Sequence, residues 1–242
     1  MSRPGPARPA DSGGDGAPAG GRSAVVVITK EPVAGAAKTR LIPAFGPDGA
    51  ARAAAAMLAD TLTVTAAVGA EPWLCFTPPA ARARLARLAP GFGLLPQRDG
   101  DLGDRLAGCF GDLLGAGVAR VAIVATDTPQ LPATSCRAAL ALLDQVDVVL
   151  GPCTDGGYYL VAATACWPEL FVGVPMGSDA VFKETTARAG WLGLTVGLLP
   201  VLRDLDRVED LEQALATGEL DGCPHTRAAV AELLAAAGTV PS

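Results

Sequence analysis

Residues 24–29, AVVVIT, form an unbroken apolar and β-branched run, the pattern of a strand covered on both faces. Similar short runs follow at 73–76 (WLCF), 121–125 (VAIVA), 146–150 (VDVVL) and 158–162 (YYLVA). Between them lie stretches rich in Ala, Leu and Arg that predict helices over 48–68, 79–88, 102–114, 133–143, 179–189 and 208–216, with a last one near 226–237. Strands alternating with helices imply parallel pairing through right-handed crossovers. One connection breaks that rule. The segment GPCTDGG at 151–157 is too short for a crossover helix, and its Asp155-Gly156 is a tight-turn signal. The strands on either side of it are therefore expected to be antiparallel or sharply bent. The class predicted is α/β, with a mixed but mainly parallel sheet flanked by helices.

At 242 residues the chain fits one domain of the larger kind, and 50% hydrophobic against 18% charged residues excludes intrinsic disorder for the whole. Residues 1–22 are the exception: six Gly and four Pro with no apolar period predict a disordered leader, leaving 23–242 as the domain. No stretch approaches the roughly 18–20 apolar residues of a membrane span, and the polar start has no signal-peptide centre, so the expected location is cytoplasmic. A net charge of −6 argues against nucleic acid and anionic membrane as partners. The six cysteines are scattered without a C-x-x-C pair and read as reduced thiols in or near the core. His225 is the only histidine and sits in a Cys-Pro-His turn, which leaves a Ser-His-Asp or Cys-His hydrolase without a base.

Four segments, and a smaller fifth, could carry chemistry. The loop KEPVAGAAKTRL after the first strand holds Lys30 and Lys38, two of only three lysines, together with Gly35 and Arg40. At the carboxyl end of a parallel strand, these cations and a flexible glycine suit a di- or triphosphate, although a solvated basic loop would look the same. It is not a Walker A loop, since Pro32 and Ala37 stand where its glycines would be. Asp127, directly after VAIVA, can reach a hard divalent cation or cap the next turn. In GPCTDGGYYL, Gly156 and Gly157 permit close backbone approach, while Asp155, Tyr158 and Tyr159 offer a carboxylate and amphipathic rings; a plain hairpin explains part of this. Asp204 and Asp206, alternate residues of an extended segment, can point at one cavity and complete a metal site with Asp127, or complement a helix dipole. The polar, Gly-broken segment QRDGDLGDR at 97–105, with Gln97, Gly100 and Asp101, shapes a substrate pocket or caps the helix it opens.

Taken in order, KEPVAGAAKTRLIP, QRDGDLGDRL, VATDTPQLP, GPCTDGGYYL and DLDRVEDL resemble the DUF2064 family over about residues 24–216. The resemblance implies a single-domain, Rossmann-like GT-A fold of the nucleotide-diphospho-sugar transferase superfamily, and a glycosyltransferase activity that in some members is linked to arsenosugar biosynthesis. The same order is similar to the 2-phospholactate and molybdenum-cofactor guanylyltransferases. What the resemblance implies for residues is that Lys30, Lys38 and Arg40 contact nucleotide phosphates, Asp127 and Asp206 hold Mg²⁺ or Mn²⁺, and Asp155 to Tyr159 line the acceptor side. Met176-Gly177-Ser178 departs from the family's usual Trp-Ser-Thr type segment, which places Ser178 at an altered acceptor pocket. The expected activity is metal-dependent transfer from a nucleotide-diphospho-sugar to a small-molecule acceptor, with Lys38 and Arg40 assisting the leaving group and Asp155 as base. The alternatives are a nucleotidyltransferase that joins an NTP to a phosphate or phosphonate acceptor, and a non-catalytic nucleotide-binding module. The partners expected are a nucleotide or nucleotide-sugar, the acceptor and, as an oligomer, a homodimer.

Overall fold

The computed structural model describes residues 21–238. The leader expected over 1–22 lies outside the described residues up to position 20, and its last residue belongs to the fold. Arg22 donates from Nε and Nη2 to the Glu71 carboxylate at 2.6 and 2.8 Å, and its carbonyl accepts from Ala119 N at 2.8 Å. Arg22, which composition assigns to the leader, is thus bonded to the described fold.

Among the described residues seven strands form one sheet: β1 (Ser23–Lys30), β2 (Glu71–Thr77), β3 (Gly93–Pro96), β4 (Arg120–Ala125), β5 (Val148–Pro152), β6 (Tyr158–Ala163) and β7 (Val196–Leu198). Among the described residues seven α-helices accompany them: α1 (Ile42–Ala66), α2 (Arg82–Leu88), α3 (Leu102–Gly115), α4 (Ala133–Leu142), α5 (Val181–Trp191), α6 (Val208–Ala216) and α7 (Pro224–Ala236). The spatial order is β3-β2-β1-β4-β6-β5-β7. All pairings are parallel except those of β6, which runs antiparallel to both β4 and β5, as the short GPCTDGG connection requires. This is the α/β, mixed and mainly parallel sheet flanked by helices that the pattern predicts.

The unbroken apolar run of β1 follows from its central place. Val25 and Val27 enter one core with Leu58, Leu74, Phe76 and Leu140, while Ala24 and Val26 enter the opposite one with Phe110, Ile123 and Phe171. With a side-chain period of two, both faces must be apolar. The strands β3 and β7, which the pattern did not predict, are the two sheet edges; each has only three or four half-exposed residues and no alternation to read. The first helix begins at Ile42 rather than 48, because Pro43 suits a helix start and the chain then steps out of helical geometry at Gly46 (φ 68°) before resuming. Among the described residues no helix is long and apolar enough to cross a membrane, and all six cysteines are free, four of them buried.

A third core joins α1, α6 and α7 through Leu41, Met57, Leu205, Leu211, Leu220 and Val230. Its docking is fixed by Asp60, a carboxylate on α1 that is 2% exposed. It accepts from His225 N at 3.2 Å and Thr226 N at 2.7 Å, so a side chain from another helix satisfies the open amides at the start of α7. His225 thus has a structural backbone role, and α7 has no side-chain cap of its own. Asp60→Ala leaves those buried amides without an acceptor; urea unfolding is expected to show a loss of about 1–3 kcal/mol, with Asp60→Asn recovering part of it.

Candidate functional site

Because β1, β4 and β5 are parallel, the loops that follow them open at one edge of the sheet. Register sets their depth: Ile28 pairs with Ala125, so the basic loop after Lys30 and the turn at Thr126-Asp127 emerge side by side. The reversed β6 starts there too, with Leu160 opposite Val124 and Tyr158 opposite Pro152. After β7 the chain continues along this edge. Leu199 N donates to Leu150 O, Leu202 N to Pro152 O and Leu205 N to Asp127 O, at 2.8–3.1 Å, which lays the 204–206 segment beside Asp127. Leu205 is fully buried in the third core with Leu41, so the two acidic residues flanking it are turned to the cleft.

The basic loop is held at its root. Glu31 N donates to Thr77 O at 2.8 Å, and the buried Glu31 carboxylate accepts from both Arg84 Nε and, at 2.8 Å, Arg84 Nη2. Gly35 takes φ 76° in the turn that follows, a left-handed backbone that favours glycine. Lys38 is left-handed as well (φ 45°, ψ 49°), a conformation that costs a non-glycine residue roughly 1–2 kcal/mol. Its ammonium compensates: Nζ lies 2.7 Å from Asp127 Oδ1, 2.6 Å from Asp206 Oδ1 and 2.7 Å from Leu205 O. Arg40 Nη1 holds the other Asp206 oxygen at 2.8 Å. Burial by itself would lower the Lys38 pKa, but Asp127 and Asp206 more than offset it and the net shift is upward. For Asp206, burial pushes up while Lys38 and then Arg40 pull harder down, so its carboxyl titrates below the ordinary range.

Three cavities among the described residues adjoin this cluster. One of about 400 Å³ is lined by Arg40 and Arg207 with Asp155, Asp204, Asp206 and Asp210. Of the other two, the larger, about 380 Å³, is lined by Lys30, Lys38, Arg40 and Arg105 as well as Asp127 and Asp206. The smaller, about 200 Å³, is lined by Asp127, Asp155, Asp204 and Asp206, with Arg40 its only cation, and by Tyr158, Tyr159, Met176 and Ser178. Asp204 has a raised pKa, first through burial and then through Asp155 opposite. Thr128 also faces this cavity, fully buried, its hydroxyl beside the Cys153 thiol without a hydrogen bond of good geometry. Burial, with Asp155 and Asp204 adding to it, pushes that thiol up to about 12, which rules it out as a thiolate nucleophile at neutral pH.

The remaining predicted residues divide between cleft and scaffold. Asp155 lines the smaller cavity and also closes its own turn, accepting from Gly157 N at 2.8 Å. Gly156 (φ 88°) is required, since a Cβ there would stand 2.1 Å from Asp179 O. Tyr158 and Tyr159 hydroxyls are both pushed to about 12 by burial, and Tyr159 donates to Pro200 O at 3.0 Å. Ser178 Oγ accepts from Ala180 N at 3.3 Å. Gln97 borders the larger cavity, yet its amide is committed: Nε2 donates to Thr29 O and Cys75 O, and Oε1 accepts from Arg105 Nη1. Asp101 caps α3 by accepting from Asp104 N, and Gly100 (φ 112°) leaves room for the Asp104 carboxylate that answers it. Arg105, the last residue of the polar segment QRDGDLGDR, is aimed at the larger cavity by Gln97 and Gly100 O, a place that the segment's residue types alone did not single out.

Among the described residues, no group of three or more His, Cys, Asp or Glu side chains is arranged to hold a metal ion. What the structure does present is a converging oxygen set, Asp127 Oδ1, Asp206 Oδ1 and Leu205 O, all within 2.7 Å of one cationic point. Oxygen donors of this kind suit a hard divalent cation.

Comparison with solved structures finds a provisionally named nucleotide-diphospho-sugar transferase from Desulfovibrio desulfuricans G20, 27% identical, with TM-score 0.83 over 91% of this chain and 99% of that one. A CMP-2-keto-3-deoxy-manno-octonic acid synthetase complexed with CTP (14% identical, TM-score 0.50, 83% and 99% covered) shares the fold. So does a cytidylyltransferase from Leptospira borgpetersenii (11%, TM-score 0.50, 90% and 95%). No curated protein matches the chain. The model of the family described as "Uncharacterized protein conserved in bacteria (DUF2064)" matches residues 58–178, half of the sequence, and the chain belongs to that family.

Proposed function

We propose that this protein is a metal-dependent glycosyltransferase that moves a sugar from a nucleoside-diphosphate donor to a hydroxyl of a small acceptor. The observation that carries the reading is the opposite charge of two adjoining cavities. Lys30, Lys38, Arg40 and Arg105 line the larger, where a diphosphate would find both compact ammonium groups and planar guanidinium forks. Asp155 and Asp204 line the smaller, with Arg40 the single cation. A phosphate acceptor would meet like charge there, whereas a hydroxyl can donate to a carboxylate. The transferase named from Desulfovibrio desulfuricans, alike over nearly its whole length, supports the same class.

In this reading the donor's diphosphate lies against Lys30, Arg40 and Arg105, with Arg40 at the border of both cavities. Asp127 and Asp206 are the residues that would hold Mg²⁺ or Mn²⁺, and the ion when bound would supply charge neutralisation for the leaving nucleoside diphosphate. Asp155 takes the proton of the acceptor hydroxyl, its carboxylate fixed by the Gly157 amide. Tyr158, Tyr159 and Ser178 shape the acceptor side. The nucleotidyltransferase alternative draws on the same four cations, since a triphosphate would also satisfy them, but it needs an anionic acceptor in the acidic cavity.

Incubation with UDP- and GDP-sugars or with the four NTPs, in the presence of Mn²⁺, separates the two by product. Free nucleoside diphosphate is expected from the sugar donors, and pyrophosphate from an NTP with a phosphate acceptor would overturn glycosyl transfer. Arg40→Ala removes a guanidinium from the diphosphate side and is expected to lower kcat about 10²–10³-fold in the same assay. Asp155→Asn should lower kcat about 10²–10⁴-fold with little change in donor KM, as for a lost base.

A further inference from the structure

The Lys38 ammonium donates to Asp206 Oδ1 and Leu205 O and forms an ion pair with Asp127 Oδ1 at 2.7 Å, so three oxygens surround it. Its side chain is 7% exposed, on a loop otherwise open to the cleft. Those are the same oxygens that converge for a divalent cation. With Arg40 on Asp206 as well, the two carboxylates are already neutralised within the protein.

We infer that Lys38 is an internal counter-ion that occupies the metal position and must leave before Asp127 and Asp206 can hold a divalent cation between them. This rests on the metal-dependent reading above. Lys38 and the ion cannot share the position, because an ammonium and a doubly charged cation about 3 Å apart repel strongly. Nor can the carboxylates stand bare: facing each other without a cation, they would disfavour their own charged forms. The ammonium therefore keeps the site charged and closed until another cation takes its place.

The loop is built for such an exchange. Lys38 is held left-handed between the Gly35 turn and the short 3₁₀ turn Thr39–Leu41, whose Leu41 is fixed in the third core. Release of Nζ costs the side chain its three partners but leaves the anchors at Glu31 and Leu41 in place. The freed ammonium remains in the larger cavity, where a diphosphate would give it a new anionic partner. Metal and diphosphate thus favour each other's binding through Lys38: each removes part of the cost of the other. Metal alone should bind weakly.

The test is Mn²⁺ binding to the protein without nucleotide, followed by the electron spin resonance signal of free Mn²⁺. Lys38→Met is expected to bind Mn²⁺ at least tenfold tighter than wild type. Equal or weaker binding by a variant whose circular dichroism matches wild type overturns the inference. A second measurement needs no variant. The chain has only three lysines, Lys30, Lys38 and Lys183, and the other two are exposed, so acetylation by an N-hydroxysuccinimide ester can be read at each by mass spectrometry. Without metal, Lys38 should react at least tenfold more slowly than Lys183; with saturating Mn²⁺ its rate should rise while that of Lys183 stays constant. Mn²⁺ that binds while Lys38 stays protected overturns the inference alone. Absence of protein-bound Mn²⁺ in both proteins, with or without a nucleoside diphosphate, overturns the metal-dependent reading and this inference together.

Discussion

The cleft depends on one buried cation. Lys38 reaches Asp206, 168 positions along the chain, as well as Asp127, and without it the two carboxylates would face each other with no ammonium between them. The fold brings these groups together by backbone register rather than by side-chain attraction. Parallel β1 and β4 end level with each other, the amide of Leu205 is bonded to the carbonyl of Asp127, and the Leu205 side chain is sunk in the core that also holds Leu41. The ion cluster then completes an arrangement that hydrophobic burial has already dictated, which is how a strained lysine backbone is tolerated.

Around that cluster, charge is sorted by position. Cations come from the loop after the first strand and from the start of α3; uncompensated carboxylates come from the β5–β6 turn and the segment after β7. Both sets are kept in place by non-catalytic partners. Glu31 is bound to Arg84, Gln97 orients Arg105, and Asp210 accepts from the amides of Asp206 and Arg207 at 3.2 and 2.7 Å, fixing the start of α6 below the cleft. A protein with a net charge of −6 thus gathers four cations at one corner of its cleft.

Much of this was readable from the chain because burial on two faces leaves a plain mark. The run AVVVIT, the Asp at the end of VAIVA and the tight Asp155-Gly156 turn each announce themselves by composition and position. The edge strands do not, since a half-exposed strand of three residues such as Val196–Leu198 has too little apolar content to differ from a loop. Charged residues were harder to assign than strands. Sequence shows that Lys38, Asp127 and Asp206 are candidates for one site, but not that the ammonium would lie between the carboxylates, because that depends on side-chain reach in three dimensions. Gln97 and Asp101 illustrate the same limit. Both border the right region, and the folded chain commits the amide of one to strand carbonyls and the carboxylate of the other to a helix start.

The reversed strand β6 has a consequence for how such a protein can diversify. Since β5 returns directly into β6, the acidic turn between them is a hairpin tip and not a crossover threaded around the sheet. It is tied locally, Thr154 N donating to Leu202 O and Phe182 N to Gly156 O, so Gly156 is fixed from outside the turn while the Asp155 side chain accepts from Gly157 within it. A change at that side chain leaves in place the strand that ends in Asp127 and the loop that carries Lys38, so one half of the cleft is bound to the architecture and the other can vary residue by residue.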